Sequence, residues 1–159
     1  MENKIRTKRT IIKTQVDIIT MSQCCETIID WINNKKSKYI STADTHVIVR
    51  SWIDCKYRNI INSSDITTPD GAPLAWVLRL LGFKDQRRLP GPDLMENLLP
   101  ILEKKRLKIL FYGSTNKVLS KISKRIKKKN PHLEAYFISP PFRNRTFEED
   151  KSNLKFIKD

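Results

Sequence analysis

The sequence predicts an α/β fold with a largely parallel sheet flanked by helices. Three observations lead to this prediction. Short β-branched runs alternate with apolar residues at helical spacing, Gly, Pro and Asp separate these segments, and hydrophobic residues make up 39% of the chain. A length of 159 residues suits one domain, which we expect to cover residues 11–159 after a basic leader at residues 1–10.

Three strands and the helices between them are predicted in the first half. The segment "TIIKTQVDII" is rich in β-branched residues and predicts one or two strands. Thr20 and Gln23 have the spacing of a capping box, so a helix is expected to begin there. The segments "KYIST" and "DITT" predict two further strands, and residues 44–62 between them have apolar positions typical of helices.

The second half repeats this alternation after Pro69, Asp70 and Gly71. We expect a helix that Gly82 closes, and its predicted core face is Leu74, Val77, Leu78 and Leu81. The segments that follow are a helix near residues 93–104, the buried strand "LKILFYG", a lysine-rich helix, the strand "EAYFIS" and a final helical segment "FEEDKSNLKFIKD". This order is typical of a Rossmann-like, largely parallel sheet flanked by helices.

Charge indicates the class of partner. Lys and Arg number 31 against 17 Asp and Glu, a formal net charge of +14, which favours nucleic acid, anionic lipid or a phosphorylated ligand. No apolar stretch reaches the roughly 18 residues of a membrane-spanning helix, and the charged N-terminus lacks the apolar stretch of a secretory signal. We therefore expect a cytoplasmic protein whose three cysteines are reduced and buried as small hydrophobic residues.

Asp70 lies between a predicted strand and a predicted helix, where ligands bind parallel sheets. Two interpretations stay open. As an N-cap, its carboxylate accepts a backbone N–H of the helix. As a general base, it takes a proton from a substrate hydroxyl at the mouth of a cleft, although a helix N-terminus lowers the basicity of a carboxylate.

Anion binding is the other chemistry that the residues suggest. Gly113 and Ser114 join the best strand to a helix and could cradle a phosphate, and Arg87 and Arg88 could pair with one. The lysine-rich helix could hold anionic lipid or nucleic acid, or form a solvated surface. The sequence has neither a metal-ligand spacing nor a D-x-D motif, so no metal or cofactor is expected.

Four segments in order carry a family resemblance: "STADTHVIVRSWIDCKYRNIINSSDITTPDGAPLAWVLRLLGF", "RLPGPDLMENLL", "ILFYGS" and "NPHLEAYFISPPF". From about residue 11 to its end, the chain resembles the WecG/TagA/CpsF family of bacterial glycosyltransferases, glycosyltransferase family 26. The family pattern has Thr-x-Asn, PDG, R-x-x-G-x-D, a strand ending in Gly-Gly, and PPF. At its first element this chain has Asp44 where the family usually has Asn.

The resemblance implies inverting transfer of a sugar, often N-acetylmannosamine or its uronic acid, from a UDP donor to a lipid-diphosphate-linked sugar. It implies Asp70 as general base, Thr42 as the active-site threonine, and Arg88 beside the donor diphosphate or the acceptor. The remaining implied substrate-binding residues are Asp44, Gly71, Gly91, Asp93, Gly113 and Ser114. The partners that follow are a UDP-sugar, a lipid-linked acceptor and the anionic inner face of the cytoplasmic membrane, with homo-oligomerisation left open.

Two alternatives compete with this interpretation. One is a basic nucleic-acid-binding module, although no aromatic residues interleave with the lysine run, so no nucleic acid is expected as partner. The other is an inactive remnant of the transferase. The chain stops at Asp159, where the family continues to a strand and a GxGxPxQE segment, so we expect a form shortened at its C-terminus.

Overall fold

The computed structural model describes residues 7–143, 146, 148, 149 and 151. Its elements in chain order are β1 (Thr7–Ile11), β2 (Thr14–Ile18), α1 (Met21–Asn33), β3 (Ile40–Ala43), α2 (Thr45–Ile53), α3 (Cys55–Asn62), β4 (Ile66–Pro69), α4 (Ala72–Leu80), α5 (Gly91–Lys104), β5 (Ile109–Tyr112), α6 (Asn116–Lys129) and β6 (Ala135–Ile138). The chain divides into two compact units between Leu98 and Leu99. The predicted alternation of strands and helices is confirmed, as is the α/β class.

Strand pairing in the first unit is of two kinds. β1 and β2 form an antiparallel hairpin, and its first strand begins at Thr7, inside the segment taken as a basic leader. β3 and β4 pair in parallel, in a register that runs from Ile40 opposite Ile66 to Ala43 opposite Pro69. Parallel pairing brings the carboxyl ends of β3 and β4 to the same edge.

A buried aspartate joins the hairpin to β4. Asp17 of β2 is fully buried, and its Oδ2 accepts the backbone N–H of Thr67 at 2.8 Å. The Lys8 ammonium lies 3.7 Å from the same oxygen. The carboxylate accepts a backbone N–H that a carbonyl of a neighbouring strand would otherwise accept. It therefore helps to hold β2 beside β4, although the two strands form no backbone ladder.

Local capping explains where the first helices begin. The capping box of Thr20 and Gln23 is present at the start of α1, as predicted. Asp54 separates α2 from α3 and caps α3 by accepting the N–H groups of Lys56 and Tyr57. One core cluster combines residues of β2, β3, α2 and α4: Val16, Ala43, Ile48, Leu74 and Leu78.

Helix α4 corrects the predicted core face. The structure buries Leu74 and Leu78 as expected, but it buries Ala75 in place of Val77. Val77 and Leu81 are exposed. Leu81 lies beyond the last helical residue, and Gly82 at φ +100° ends the helix in the left-handed region that glycine tolerates.

The cysteines only partly match expectation. Cys24 and Cys25 of α1 are buried, and burial raises the pKa of the Cys25 thiol. Cys55 at the first position of α3 is exposed, so the expectation of burial was wrong for this residue.

In the second unit β5 pairs in parallel with β6, and the rings of Phe111 and Phe137 stack at 5.2 Å. β5 is half-buried and Tyr112 is exposed, so the prediction of a buried strand was wrong. Within the described residues β5 has β6 as its one strand neighbour, which leaves its other edge uncovered by a strand. Glu148, Glu149 and Lys151 are helical, and the rest of the predicted final helix lies outside the described residues.

Candidate active site

The parallel pair β3 and β4 sets the position of the candidate site. Beyond the last ladder residues, the backbone N–H of Asp70 donates to the carbonyl of Ala43 at 2.9 Å. The chains leaving the two strands therefore start side by side. Thr42 lies one residue before the end of β3, is exposed, and stands opposite Thr68 of β4.

Asp44 begins helix α2. Its Oδ1 accepts the backbone N–H of Val47 at 2.8 Å, which makes it the N-cap. Asn and Asp cap helices equally well, because either side chain presents an oxygen to the N–H group. The Asp that stands where the resembled family usually has Asn therefore caps α2 in a way that Asn could also do.

Asp70 is free of the capping role that the sequence left open for it. The N-cap of α4 is Gly71, and that helix begins without a side-chain cap. Within the part of the chain that the structure describes, the half-buried Asp70 side chain forms no hydrogen bond or ion pair. Its carboxylate is available to a ligand, held by a backbone that hydrogen-bonds to β3.

Two glycines allow neighbouring segments to approach the strand ends. A Cβ on Gly71 would lie 3.5 Å from the Cα of Asp44, and a Cβ on Gly91 would lie 3.3 Å from the Cγ2 of Thr42. The loop before Gly91 is tied to β4, because the N–H of Leu89 donates to the Pro69 carbonyl at 2.7 Å. The structure thus brings Thr42, Asp44, Asp70, Gly71 and Gly91 together.

Arg88 and Asp93 flank this cluster. Arg88 is exposed and directly precedes Leu89, whose side chain is buried and whose N–H is bonded to β4. No hydrogen bond or ion pair to its guanidinium occurs among the described residues. Asp93 is exposed in the first turn of α5, where the helix dipole stabilises a carboxylate.

Gln86 is a positioning residue that sequence reasoning missed. Its side chain is buried, its Oε1 accepts the N–H of Ile19, and its Nε2 donates to the carbonyls of Ile19 and Arg87 at 3.0 and 2.7 Å. These bonds fix the loop that carries Arg88 to the end of β2. A glutamine in a polar loop has no distinguishing local pattern, so no sequence signal was available for it.

Gly113 and Ser114 belong to the second unit. They follow β5 with φ angles of +124° and +63°, and Thr115 then caps α6 by accepting the N–H of Val118. The Ser139 hydroxyl donates to the Ser114 carbonyl at 2.7 Å. The expected strand–turn–helix arrangement is therefore present, with its first two loop residues in the left-handed region.

Two kinds of feature are absent from the described residues. Among residues 7–143 and the four described after them, no group of three His, Cys, Asp or Glu side chains is placed to hold a metal ion. Over the same part of the chain, no helix has the length and apolar character needed to cross a bilayer.

Comparison with known proteins gives the family. Residues 9–159 match the model of the glycosyl transferase WecG/TagA/CpsF family. Curated relatives from Bacillus spizizenii and Bacillus subtilis are 28% and 27% identical over 104 residues, which is 65% of this chain and 40% and 41% of theirs. A Staphylococcus aureus relative is 24% identical over 125 residues, 77% of this chain and 49% of that protein.

All three relatives are named N-acetylglucosaminyldiphosphoundecaprenol N-acetyl-beta-D-mannosaminyltransferase. The alignments span less than half of the length of these curated proteins. Because the family model matches the chain almost from end to end, the protein belongs to the WecG/TagA/CpsF family of glycosyl transferases.

Proposed function

We propose that this chain is an inverting glycosyltransferase of bacterial cell-surface polysaccharide or teichoic acid synthesis. In this proposal it moves an N-acetylmannosamine-type sugar or a related hexose from a UDP donor to a polyprenyl-diphosphate-linked sugar. Family membership and the names of the relatives support the reaction class and the lipid-linked acceptor.

The observation that carries the proposal is the uncommitted carboxylate of Asp70 at the strand ends. In the proposed step, Asp70 accepts the proton of the acceptor hydroxyl as that oxygen attacks the anomeric carbon from the face opposite the leaving group. A new glycosidic C–O bond forms, and the C–O bond to the diphosphate breaks. The electron pair of that bond leaves with the diphosphate oxygen of UDP.

Hydrogen-bond donors close to the departing UDP would stabilise the negative charge that develops on its diphosphate. Arg88 is exposed, forms no ion pair within the described residues, and lies on a loop that Gln86 and Leu89 fix to the sheet. Its guanidinium can donate two parallel hydrogen bonds to a phosphate. Helix α4 begins without a side-chain cap, so the positive end of its dipole is a favourable environment for an anion.

We propose that further residues of the same cluster contact the substrates: Thr42, Asp44, Gly71, Gly91 and Asp93. The Thr42 side chain is exposed beside Gly91, and its hydroxyl can bind a sugar or phosphate oxygen. Gly113 and Ser114 are proposed as further phosphate ligands, on the basis of their loop alone. The assignments within the first unit follow the family resemblance, and its geometry is compatible with them.

The place of action follows from a lipid-linked acceptor. We propose that the chain works at the inner face of the cytoplasmic membrane. Helix α6 supports attraction to anionic lipid because its basic side chains are exposed: Lys117, Lys121, Lys124, Arg125, Lys127, Lys128 and Lys129.

The direct test is UDP release from a panel of UDP-sugars in the presence of an N-acetylglucosamine-diphosphate-lipid analogue. We expect release that requires both substrates, and Arg88→Gln should lower its rate by roughly 10²–10³-fold. Lys84→Gln, at an exposed position in the preceding loop, is the matched control. Folded protein that binds no UDP but binds duplex DNA with a steep salt dependence would contradict the proposal.

A further inference from the structure

Thr68 is a fully buried residue of β4, and its hydroxyl group has no hydrogen-bond partner among the described residues. It directly precedes Pro69 and Asp70, so it lies at the strand end on which the candidate site is built. A buried polar group normally has a partner, because leaving its hydrogen bond unmade costs free energy. Packing alone therefore does not account for a hydroxyl at this position.

The strand register places Thr68 directly beside Thr42 of β3. Register partners in parallel strands direct their side chains to the same face of the sheet, and neighbouring strands lie about 4.8 Å apart. Threonine pairs on neighbouring strands can hydrogen-bond to each other. The Thr42 hydroxyl also forms no hydrogen bond within the part of the chain that the structure describes. Each of the two hydroxyl groups can therefore take the other as its partner.

Thr42 connects this pair to the candidate site. Its side chain is exposed, and its Cγ2 lies 3.3 Å from the position that a Cβ on Gly91 would take. Just beyond the two threonines, the backbone N–H of Asp70 donates to the Ala43 carbonyl at 2.9 Å. A hydroxyl group can donate one hydrogen bond and accept two. Thr42 can thus accept a hydrogen bond from Thr68 and donate its own to an oxygen of a ligand.

Two other residues among those described bury a hydroxyl group without a partner, Thr14 and Ser51. Thr14 is the first residue of β2, and its register partner is Ile11, which has no hydroxyl. Ser51 lies inside α2, where a serine can bond to the carbonyl of the preceding turn by rotating its side chain. Among these three residues, Thr68 is the one whose register partner belongs to the candidate site.

We propose that Thr68 is a positioning residue of the candidate site, which donates a hydrogen bond to the Thr42 hydroxyl when the sugar donor binds. Thr42 then donates to an oxygen of the donor with its hydroxyl held in one orientation. The side chain that changes rotamer is the exposed one, Thr42, so neither the buried Thr68 side chain nor the strand register has to move. This inference rests on the proposed function, because it takes a UDP-sugar as the ligand of Thr42.

The test measures the affinity for UDP-N-acetylmannosamine by titration calorimetry, together with the thermal unfolding midpoint without ligand. Thr68→Val replaces the hydroxyl by a methyl group, and we expect about tenfold weaker binding with a midpoint that is unchanged or higher. Thr68→Ser keeps the hydroxyl and should retain most of the affinity. Thr14→Val is the matched control, since it removes a buried hydroxyl outside the site and should leave the affinity unchanged.

A double-mutant cycle tests whether Thr68 acts through Thr42. We expect the variant with both Thr42→Val and Thr68→Val to bind no more weakly than Thr42→Val alone, because Thr68 then has no hydroxyl left to orient. Losses that add instead would overturn the inference.

Two further results would also overturn it. Unchanged affinity in Thr68→Val would show that the hydroxyl has no role in binding. A lower unfolding midpoint in Thr68→Val than in Thr14→Val would show that the hydroxyl already has a partner in the unbound protein. An unmodified chain that binds no UDP-sugar would contradict the proposed function and this inference together, whereas normal binding by both the unmodified chain and Thr68→Val would contradict the inference alone.

Discussion

At the residue scale, two aspartates at neighbouring strand ends have different surroundings. Asp44 gives its Oδ1 to the N–H of Val47 and starts a helix. Asp70 is followed by Gly71, which starts the next helix, so its carboxylate stays uncommitted within the described residues. Helix α2 begins directly after Asp44, whereas α4 begins one residue further from Asp70, after Gly71. A side chain can cap only the helix that begins directly after it.

Sequence reasoning located both aspartates but could not tell which of them caps a helix. Asp70 precedes a helix as a capping residue does, and the pattern alone left capping and catalysis open. The choice depends on where the first helical turn begins, and local pattern determines that boundary only to within a few residues. Pro73 would be the third helical residue if Asp70 were the N-cap and is the second with Gly71 as N-cap, and both positions lie in the first turn, which tolerates proline.

Glu149 provides a pH prediction at the same scale. Arg143 donates from Nη1 and Nη2 to its two oxygens at 3.0 and 2.7 Å, and this pairing lowers the pKa of Glu149 to about 2 from a usual value of 4.5. A lowered pKa in the folded state means that the pair stabilises the fold above the usual pKa and is lost as pH falls towards 2.

Carbon NMR of the side-chain carboxyl groups would measure this titration. In Arg143→Gln we expect the Glu149 midpoint to rise towards its usual value, because the largest cause of the lowering is the hydrogen bonds from Arg143. Lys151→Gln is the control, since it removes a cation two residues along the chain and leaves the Arg143–Glu149 pair intact. An unchanged midpoint in Arg143→Gln would contradict the assignment.

At the element scale, β4 is the strand that positions the site, and it is held from both sides. β3 pairs with it in parallel, and Asp17 of β2 binds the Thr67 N–H on the other side. Removing this carboxylate leaves a buried N–H group without an acceptor, and Thr67 is fully buried. Asp17 therefore contributes to holding β4 in place from outside the site.

We predict that Asp17→Ala lowers the free energy of unfolding by about 1–3 kcal/mol in urea denaturation. Asp17→Asn keeps an oxygen acceptor for Thr67 and should lose less. Asp30→Ala removes an exposed carboxylate 3.6 Å from Lys36, and should change the free energy by about 0–1 kcal/mol. Equal effects of Asp17→Ala and Asp30→Ala would show that Asp17 does not join β2 to β4.

Most elements were predictable because their signals are local. The capping box of Thr20 and Gln23 and the β-branched runs of the strands depend on neighbours in sequence. The burial of β5 was not predictable, because its apolar residues are compatible with both a central and an edge strand. For α4, helical spacing alone could not show that Ala75 rather than Val77 faces the core.

At the scale of the whole molecule, the ordered motifs predicted which residues lie together at the candidate site better than any single residue did. Thr42, Asp44, Asp70, Gly71 and Gly91 are spread over residues 42–91, yet they meet because two parallel strands end at one edge. The contacts of Gln86 were not predictable, since they join segments that only the folded chain brings together. The net charge of +14 indicated an anionic partner without indicating which surface receives it.

The central claim is that Asp70 takes the proton of the acceptor hydroxyl. The most direct test compares the turnover rate and the UDP affinity of Asp70→Asn with those of Asp54→Asn, an aspartate that caps α3 outside the site. We predict that Asp70→Asn lowers the rate by about 10²–10⁴-fold with little change in UDP affinity, while Asp54→Asn keeps both. A rate for Asp70→Asn within about twofold of the unmodified chain would contradict the claim.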